Sequence, residues 1–262
     1  MDMNYDEIAE TYDRYRGGHG PQIAALIEVL EGCLETFGRQ SGSVRRPATT
    51  EGRPHLLEIG AGTGNSTRAV QAAHPCDLTA LDMSWEMLTR GRAKGGGARW
   101  LQGSALALPF AARSFDAVYA TYVLHHIADL DRLFRECARV LSGGCAVFVT
   151  APRSFIRAYP MKEYFPSFVE ADLARFRPRD ELVADMERAG FSRVESRVTE
   201  PEYRAIDADY VERIGERFIS TYRLLPPEEF ETGLARLRAD VARKGRLDKP
   251  LAYQALLVWG FA

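Results

Sequence analysis

Residues 55–67 read HLLEIGAGTGNST, a short apolar run followed by three glycines at every second position. The apolar run is typical of a buried strand, and a helical pattern begins near Asn65. Ordered glycine costs conformational entropy, so Gly60, Gly62 and Gly64 indicate a turn in which something needs a bare backbone. This stretch therefore predicts a strand, a tight loop and a helix, the opening unit of an α/β sheet.

The same alternation of strand and helix continues along the rest of the chain. Apolar runs with strand character recur, and segments with a helical period of about 3.6 residues separate most of them. The predicted strands are 55–60, 77–82, 98–103, one within 115–123, 143–150, 191–198 and 253–262. Repeated strand–helix units predict a parallel, doubly wound sheet with helices on both faces.

Other segments flank or interrupt this core. Pro21 begins a helix in the N-terminal region, and aromatic residues concentrate between the fifth strand and the next helix. We place the interrupting segments at the carboxyl edge of the sheet, where open α/β folds bind ligands. We expect one domain over residues 1–262, made of a helical cap (1–37), a mobile linker (38–54), the core (55–150) and two insertions (151–178 and 201–250).

Charge and composition argue against several classes of partner. The net charge of −2 gives no basic excess to neutralise a nucleic-acid backbone. No apolar run reaches the about 20 residues of a membrane span. Four cysteines without CxxC spacing indicate buried thiols and no metal site, and the acidic N-terminus is unlike a signal peptide. We therefore expect a cytoplasmic protein that binds neither nucleic acid nor a membrane.

The glycine loop narrows the choice of ligand. No Gly-Lys-Ser/Thr follows Gly60, which rules out a Walker loop, and a dinucleotide fold needs a smaller third residue than Asn65 or Thr67. Glu58, two residues before the first glycine, would repel a pyrophosphate at close range. The pattern ExGxGxG instead suits a ligand that carries positive charge and no phosphate, such as S-adenosylmethionine.

A second acid, Asp82, ends the second predicted strand, 22 residues after Gly60. A carboxylate there can accept hydrogen bonds from both hydroxyls of a ribose, although nicotinamide enzymes place an acid at a similar spacing. Asp82 could also serve only at the entry of the next helix, for which Ser84 is the expected cap. Both interpretations remain open from the residues alone.

Five motifs then occur in order within the first 150 residues. They are YDEIAETYDRYR (5–16), LLEIGAGTGNST (56–67), LDMSWEML (81–88), QGSALALPF (102–110) and SFDAVYATYVLHHI (114–127). Together they resemble class I S-adenosylmethionine-dependent methyltransferases that act on small molecules, of the ubiquinone/menaquinone C-methyltransferase-like or trans-aconitate methyltransferase-like kind. The resemblance implies a Rossmann-like, seven-stranded sheet whose last strand is reversed, with S-adenosylmethionine as cofactor and a small-molecule methyl acceptor.

The resemblance also implies roles for particular residues. Glu58 and the loop from Gly60 to Gly64 would line the methionine part of the cofactor, Asp82 would bind the ribose, and Met83 would pack on the adenine. The family usually has Asp-Ala after the third strand, whereas this chain has Ser104-Ala105. Tyr12 resembles a residue that closes over the cofactor, although it could equally be packed in a helix. The full set of implied cofactor-binding residues is Tyr12, Glu58, Gly60, Ala61, Gly62, Gly64, Asp82, Met83, Ser104, Ala105 and Thr121.

His125 and His126 are the candidates for acid–base chemistry. They follow the fourth strand, on the loop where an acceptor would lie, and LHHIAD resembles the Leu-His-x-Trp-x-Asp stretch of plant O-methyltransferases. That resemblance implies a general base at His125, if the acceptor must lose a proton. The alternative is that His125 only holds the loop.

Two side-chain groups in the first insertion have alternative interpretations. The aromatic residues between 155 and 176 could form a lid over a planar acceptor or pack in a core. Five arginines nearby could clamp a carboxylate, but ordinary surface positions are favoured in a chain rich in arginine; they are Arg153, Arg157, Arg175, Arg177 and Arg179.

The sequence thus favours methyl transfer from S-adenosylmethionine to a small molecule. Two other classes remain open: an enzyme that uses the same fold and cofactor for a cyclisation or another non-methyl reaction, and a non-catalytic partner subunit that keeps the pocket.

Overall fold

The computed structural model describes residues 20–40 and 52–262. The expectations for the part of the cap before residue 20, for Tyr12 and for most of the linker lie outside these residues. The cap helix that begins at Pro21 is present and runs to Gln40, three residues beyond the expected boundary at residue 37.

Helices and strands alternate from Pro21 to the third strand as the sequence predicts, and less regularly after it. The α-helices are α1 (Pro21–Gln40), α2 (Asn65–Ala73), α3 (Trp85–Ala93), α4 (Leu130–Val140), α5 (Arg153–Ala158), α6 (Phe168–Arg175), α7 (Arg179–Arg188), α8 (Ala208–Gly215) and α9 (Pro227–Lys244). The strands are β1 (His55–Ile59), β2 (Asp77–Asp82), β3 (Arg99–Gln102), β4 (Phe115–Thr121), β5 (Leu141–Thr150), β6 (Ser192–Val198), β7 (Glu202–Arg204), β8 (Leu251–Tyr253) and β9 (Leu256–Phe261). Short 3₁₀ helices cover Leu124–His126, Pro160–Glu163 and Ser220–Arg223.

Seven of the strands form one sheet in the order β3-β2-β1-β4-β5-β9-β6. The pairs from β3 to β5 are parallel, while β9 runs antiparallel to both β5 and β6. The order reverses next to β1, so the carboxyl ends of β1 and β4 flank the crevice where an open sheet binds ligands. The predicted seven-stranded, doubly wound sheet with a reversed last strand is confirmed.

The sheet is buried on both faces because its central strands are apolar on both sides. In β4, Val118 and Ala120 belong to one apolar cluster, and Ala117 and Tyr119 belong to the cluster on the opposite face. Helix α4 packs on the first face and α1 on the second. The four cysteines, Cys33, Cys76, Cys137 and Cys145, are buried free thiols, as predicted.

The two insertions pack against each other around a third apolar cluster. Phe165 and Phe168 from the first insertion meet Ile214, Leu234 and Leu237 from the second. Phe165 stacks at 5.7 Å on Phe230 of α9, so part of the aromatic segment is core, as one of the two interpretations expected. This cluster holds both insertions above the carboxyl edge of the sheet.

Sequence periodicity placed some boundaries wrongly in the second insertion. The spacing of Ile206, Tyr210, Ile214 and Phe218 predicts one helix through all four, but α8 covers only Ala208–Gly215. The Asp207 carboxylate caps its start, accepting a hydrogen bond from the Tyr210 amide at 3.1 Å. β7 and β8 form a separate two-stranded antiparallel sheet that the sequence did not reveal. Tyr253, expected in the last strand, belongs to β8, and the last strand begins at Leu256.

In the part of the chain that the structure describes, no helix combines the length and the apolar character needed to cross a membrane.

Candidate cofactor and substrate site

A cavity of about 870 Å³ lies at the carboxyl ends of β1 and β4, between the sheet, the start of α1 and the two insertions. Five of the sequence-predicted site residues line it: Gly60, Ala61, Gly62, Thr121 and His125. Its opposite side is built from the insertions. The cavity therefore has one wall from the sheet edge and one wall from the insertions.

Glycine is needed at different positions of the β1–α2 loop for different structural reasons. All three have positive φ, and a Cβ on Gly64 would lie 2.4 Å from Cη2 of Trp100. Gly64 is thus required by packing against the third strand. A Cβ on Gly62 would meet no protein atom within 4 Å, and Gly62 lines the cavity. At Gly62 the bare backbone faces space that a ligand can fill.

Asp82 fastens the glycine loop to the end of β2. Its Oδ2 accepts a hydrogen bond from the Gly62 amide at 2.7 Å, and its Oδ1 accepts one from the Ser84 amide at 2.9 Å. Ser84 is the predicted cap of α3, since its hydroxyl accepts from the Met87 amide. The interpretation of Asp82 as a helix-entry residue is thus correct in part, and the carboxylate also orients the loop.

Glu58 is fully buried beneath the loop rather than in the wall of the cavity. Its carboxylate accepts hydrogen bonds from the Ser66 hydroxyl, from Thr67 Oγ1 at 2.5 Å and from Tyr119 Oη at 3.0 Å. Burial raises the pKa of the Glu58 carboxyl to about 7, and these three hydrogen bonds oppose that shift. Glu58 therefore joins β1 to β4 and to the first turn of α2.

The other predicted cofactor residues lie farther along the same sheet edge. Asp82 and Met83 follow β2, Ser104 and Ala105 follow β3, and the three strands β3, β2 and β1 are neighbours. Met83 is 73% exposed, Ala105 is buried, and the Ser104 hydroxyl accepts from the Leu106 amide at 3.2 Å. With a strand spacing of about 4.8 Å, these strand ends suit an elongated ligand.

His125 lines the cavity and is half-buried, whereas His126 is exposed. The His125 ring stacks on Phe176 of the first insertion, with centroids 4.2 Å apart and an interplanar angle of 16°. The two histidine rings also contact each other at 3.9 Å. Stacking on Phe176 fixes the plane of the His125 ring, so the imidazole lies at the cavity in one orientation.

Tyrosines from the sheet edge and from the insertions line the cavity, and of these only Tyr159 lies in the aromatic segment 155–176 for which the sequence predicts a lid or a core. Tyr122, at the end of β4, has a left-handed backbone (φ 53°), which is uncommon outside glycine. Its hydroxyl receives a hydrogen bond from the hydroxyl of Tyr253 in β8. Tyr159 Oη lies 2.7 Å from Tyr210 Oη and 3.1 Å from Tyr222 Oη. Tyr122 directly follows Thr121, so proximity to a predicted site residue was the available signal.

None of the five arginines proposed as a carboxylate clamp lines the cavity. Arg153 donates to the carbonyls of Leu173 and Phe176. Arg175 binds Asp172 and Thr221, while Arg177 pairs with acids of α7. Arg153 and Arg175 therefore hold the first insertion together, a role that neither interpretation had foreseen.

Comparisons with known proteins agree with this architecture. A family model described as "Methyltransferase domain" matches residues 57–149. The demethylmenaquinone methyltransferase of Chlorobaculum tepidum is 30% identical over 148 residues, 55% of this chain and 57% of that protein. The corresponding protein of Roseiflexus castenholzii is 32% identical over 204 residues, 68% of this chain and 85% of that protein. The match to the Chlorobaculum protein thus spans little more than half of its length.

A solved structure of a putative methyltransferase from an antibiotic biosynthesis pathway of Anabaena variabilis has a TM-score of 0.66. It is 22% identical and covers 89% of this chain and 96% of its own, which shows a common fold. In this chain the fold is the seven-stranded sheet with a reversed last strand. The chain belongs to the class I S-adenosylmethionine-dependent methyltransferases.

The buried Glu58 carboxyl predicts a pH dependence of stability. Its pKa is raised on folding, from about 4.5 to about 7, so the folded chain holds this proton more tightly than the unfolded chain. The stabilisation is fully present below pH 4.5 and is lost as the pH rises through 7, at up to about 1.4 kcal/mol per pH unit. We expect the free energy of unfolding of the wild type, relative to Glu58→Gln, to fall between these pH values.

Urea denaturation of both proteins at several pH values measures this difference, and groups common to both cancel. A difference that stays constant from pH 4.5 to 8 would contradict a raised pKa at Glu58.

Proposed function

We propose that this protein transfers the methyl group of S-adenosylmethionine to a small-molecule acceptor bound between the sheet edge and the insertions. The observation that carries the proposal is Gly62, whose missing side chain leaves open space in the cavity wall. Asp82, whose carboxylate holds the Gly62 amide, suits a cationic ligand without phosphate. The net charge of −2 favours a small acceptor over a nucleic acid.

The residues present fit the cofactor that the family uses. The Gly60–Gly62 segment would hold its methionine part, Asp82 its ribose, and Met83 its adenine, along the ends of β1 and β2. When bound, S-adenosylmethionine supplies an electrophilic methyl group on a sulfonium. The protein then has to place the acceptor in line and exclude water, and such alignment can contribute about 7–11 kcal/mol.

The roles of the insertions and of His125 complete the proposal. Phe155, Phe168 and Phe176 line the cavity and would exclude water from the acceptor. His125, stacked on Phe176, would accept a proton from an acceptor that must lose one. The demethylmenaquinone methyltransferases that this chain resembles act, by their name, on a quinone-type ring, which agrees with an aromatic cavity wall.

Titration calorimetry with S-adenosylhomocysteine, S-adenosylmethionine and NAD tests the cofactor half of the proposal. We expect both adenosyl ligands to bind and NAD to bind more weakly or not at all. Tighter binding of NAD would overturn the assignment.

Incubation with S-adenosylmethionine and a panel of phenols and quinols, followed by mass spectrometry, tests the reaction. A product without an added methyl group would indicate a cyclase. Cofactor binding without turnover of any acceptor would indicate a non-catalytic subunit.

Gly62→Ala and Gly64→Ala separate ligand contact from packing. Both substitutions strain a left-handed backbone by about 1–2 kcal/mol. The methyl group added at position 64 would in addition clash with Trp100, whereas the one added at position 62 would meet no protein atom. We expect Gly62→Ala to lose S-adenosylhomocysteine affinity with a small fall in melting temperature, and Gly64→Ala to lose more stability.

Calorimetry and thermal denaturation of the same preparations give both quantities. Wild-type affinity in Gly62→Ala would show that the cofactor does not approach this backbone, and would remove the main support for the proposal.

His125→Gln and His126→Gln form a matched pair for the base. If His125 accepts the acceptor's proton, its replacement should lower kcat about 10²–10⁴-fold and leave S-adenosylhomocysteine affinity unchanged. The exposed His126 should tolerate the same change. Both are measured with the acceptor that the wild type turns over, across pH 6–9. Equal kcat values in the two variants would assign His125 to holding the loop.

A further inference from the structure

Asp172 is a buried carboxylate in the cavity wall contributed by the first insertion. It lies on α6, is only 6% exposed and lines the cavity. Its Oδ1 accepts a hydrogen bond from Thr221 Oγ1 at 2.5 Å and another from Arg175 Nη2 at 2.7 Å. Within residues 20–40 and 52–262, no hydrogen bond reaches its Oδ2. One oxygen is therefore held by the protein, and the other remains as an acceptor.

The position of this carboxylate is fixed by two elements. Arg175 lies one turn along α6, and its guanidinium also reaches the Ser220 hydroxyl at 3.5 Å. Thr221 belongs to the 3₁₀ helix of the second insertion, which packs on α6. Burial raises the pKa of Asp172, while the hydrogen bonds from Thr221 and Arg175 lower it. A buried charge that is paired on one side retains its ability to bind a donor on the other.

Two aromatic residues lie on either side of Asp172 in the chain, Phe168 at the start of α6 and Phe176 directly after its end. Phe168, Asp172 and Phe176 follow a spacing of four residues, and all three line the cavity. Phe176 stacks on His125, and Phe168 packs at 4.7 Å on Tyr159. The acceptor wall is therefore an aromatic surface with one carboxylate at its centre.

The remaining charges of the cavity disfavour an anionic ligand. Besides Asp172, the acids Glu202, Asp209 and Glu212 line it, against the two arginines Arg204 and Arg213. Arg204 is itself paired with Glu202, with Nε and Oε1 3.0 Å apart. An acceptor with a carboxylate would meet more negative than positive charge here.

We propose that Asp172 selects the methyl acceptor, accepting through Oδ2 a hydrogen bond from a hydroxyl or amine on a flat, apolar ring. This inference rests on the proposed function, because it names the acceptor class of the same cavity. It makes Asp172 a specificity-determining residue in direct contact with the acceptor. Phe168 and Phe176 supply the apolar faces that the ring contacts.

Three probes of one shape test the selection in the wild type: 2-naphthol, 2-methoxynaphthalene and 2-naphthoate. Binding is measured by calorimetry with S-adenosylhomocysteine present, so that no turnover occurs. A hydrogen bond to a charged group predicts that 2-naphthol binds about tenfold or more tightly than 2-methoxynaphthalene. We expect 2-naphthoate to bind more weakly than 2-naphthol. Equal affinities of the first two probes, or tightest binding of 2-naphthoate, would overturn the proposal.

Asp172→Asn and Asp209→Asn form a matched pair. An asparagine at 172 can keep an oxygen toward Thr221 and Arg175 while turning an N–H donor toward the cavity. The preference for 2-naphthol should then fall to about onefold. The exposed Asp209 also lines the cavity, so Asp209→Asn removes the same charge and should keep the preference.

The measurements also separate this inference from the proposed function. Thermal denaturation of each variant shows whether the fold is intact, and its affinity for S-adenosylhomocysteine shows whether cofactor binding is intact. Intact cofactor binding with no preference for 2-naphthol in the wild type refutes the role of Asp172 alone. Failure of the wild type to bind the cofactor would refute the proposed function. An unfolded Asp172→Asn leaves the decision to the wild-type probe series.

Discussion

The carboxylate of Glu58 is the contact on which the geometry of the glycine loop depends. It lies at the end of β1, receives Tyr119 from β4, and receives Ser66 and Thr67 from the first turn of α2. Three elements are therefore fixed to one buried group. A buried carboxylate is stable only when hydrogen bonds replace its water, so these hydroxyls could not move without a large cost. The loop between β1 and α2 must then turn within a few residues, which the three glycines allow.

Asp82 provides the second restraint on the same loop. Glu58 holds the ends of the loop from beneath, and Asp82 holds its middle from the side through the amide of Gly62. The two acids thus restrain the loop, Glu58 at its α2 end and Asp82 at Gly62. Ser66 links this restraint to the cavity, since it binds Glu58 and also lines the cavity. A change at either acid would therefore alter the shape of the loop that lines the cavity.

Much of the fold was accessible from sequence because the sheet has a strong periodic signal. A strand buried on both faces, such as β4 or β5, is a continuous apolar run, and α4 places Leu133, Phe134 and Cys137 on one face. The positions of Gly62 and Asp82 at strand ends could be predicted from the sequence because the spacing of the motifs marks those ends. That Gly62 faces the cavity while Gly64 packs against a side chain could not be predicted from the sequence. It depends on Trp100 from β3, which only the folded chain brings against the loop.

The second wall of the cavity was less predictable for a physical reason. β7 and β8 have three residues each, too few for an alternation to be seen, and they pair across nearly fifty residues. Asp172 and Arg175 read as an ordinary helical ion pair, a pattern typical of exposed surfaces. Asp172 is nevertheless buried, and Thr221 of the 3₁₀ helix donates a hydrogen bond to it.

In the proposed function, the cofactor and the acceptor are bound by parts of the chain with different structural origins. The cofactor side consists of strand ends, whose positions the sheet fixes and whose motifs recur in order along the sequence. The acceptor side consists of side chains that also form the core of the insertions, as Phe168 and Tyr159 do. A residue in both roles must satisfy packing before it can select a ligand. In the proposed function, the few polar groups that interrupt this aromatic wall select the acceptor, and Asp172 is the charged side chain that α6 contributes to the cavity.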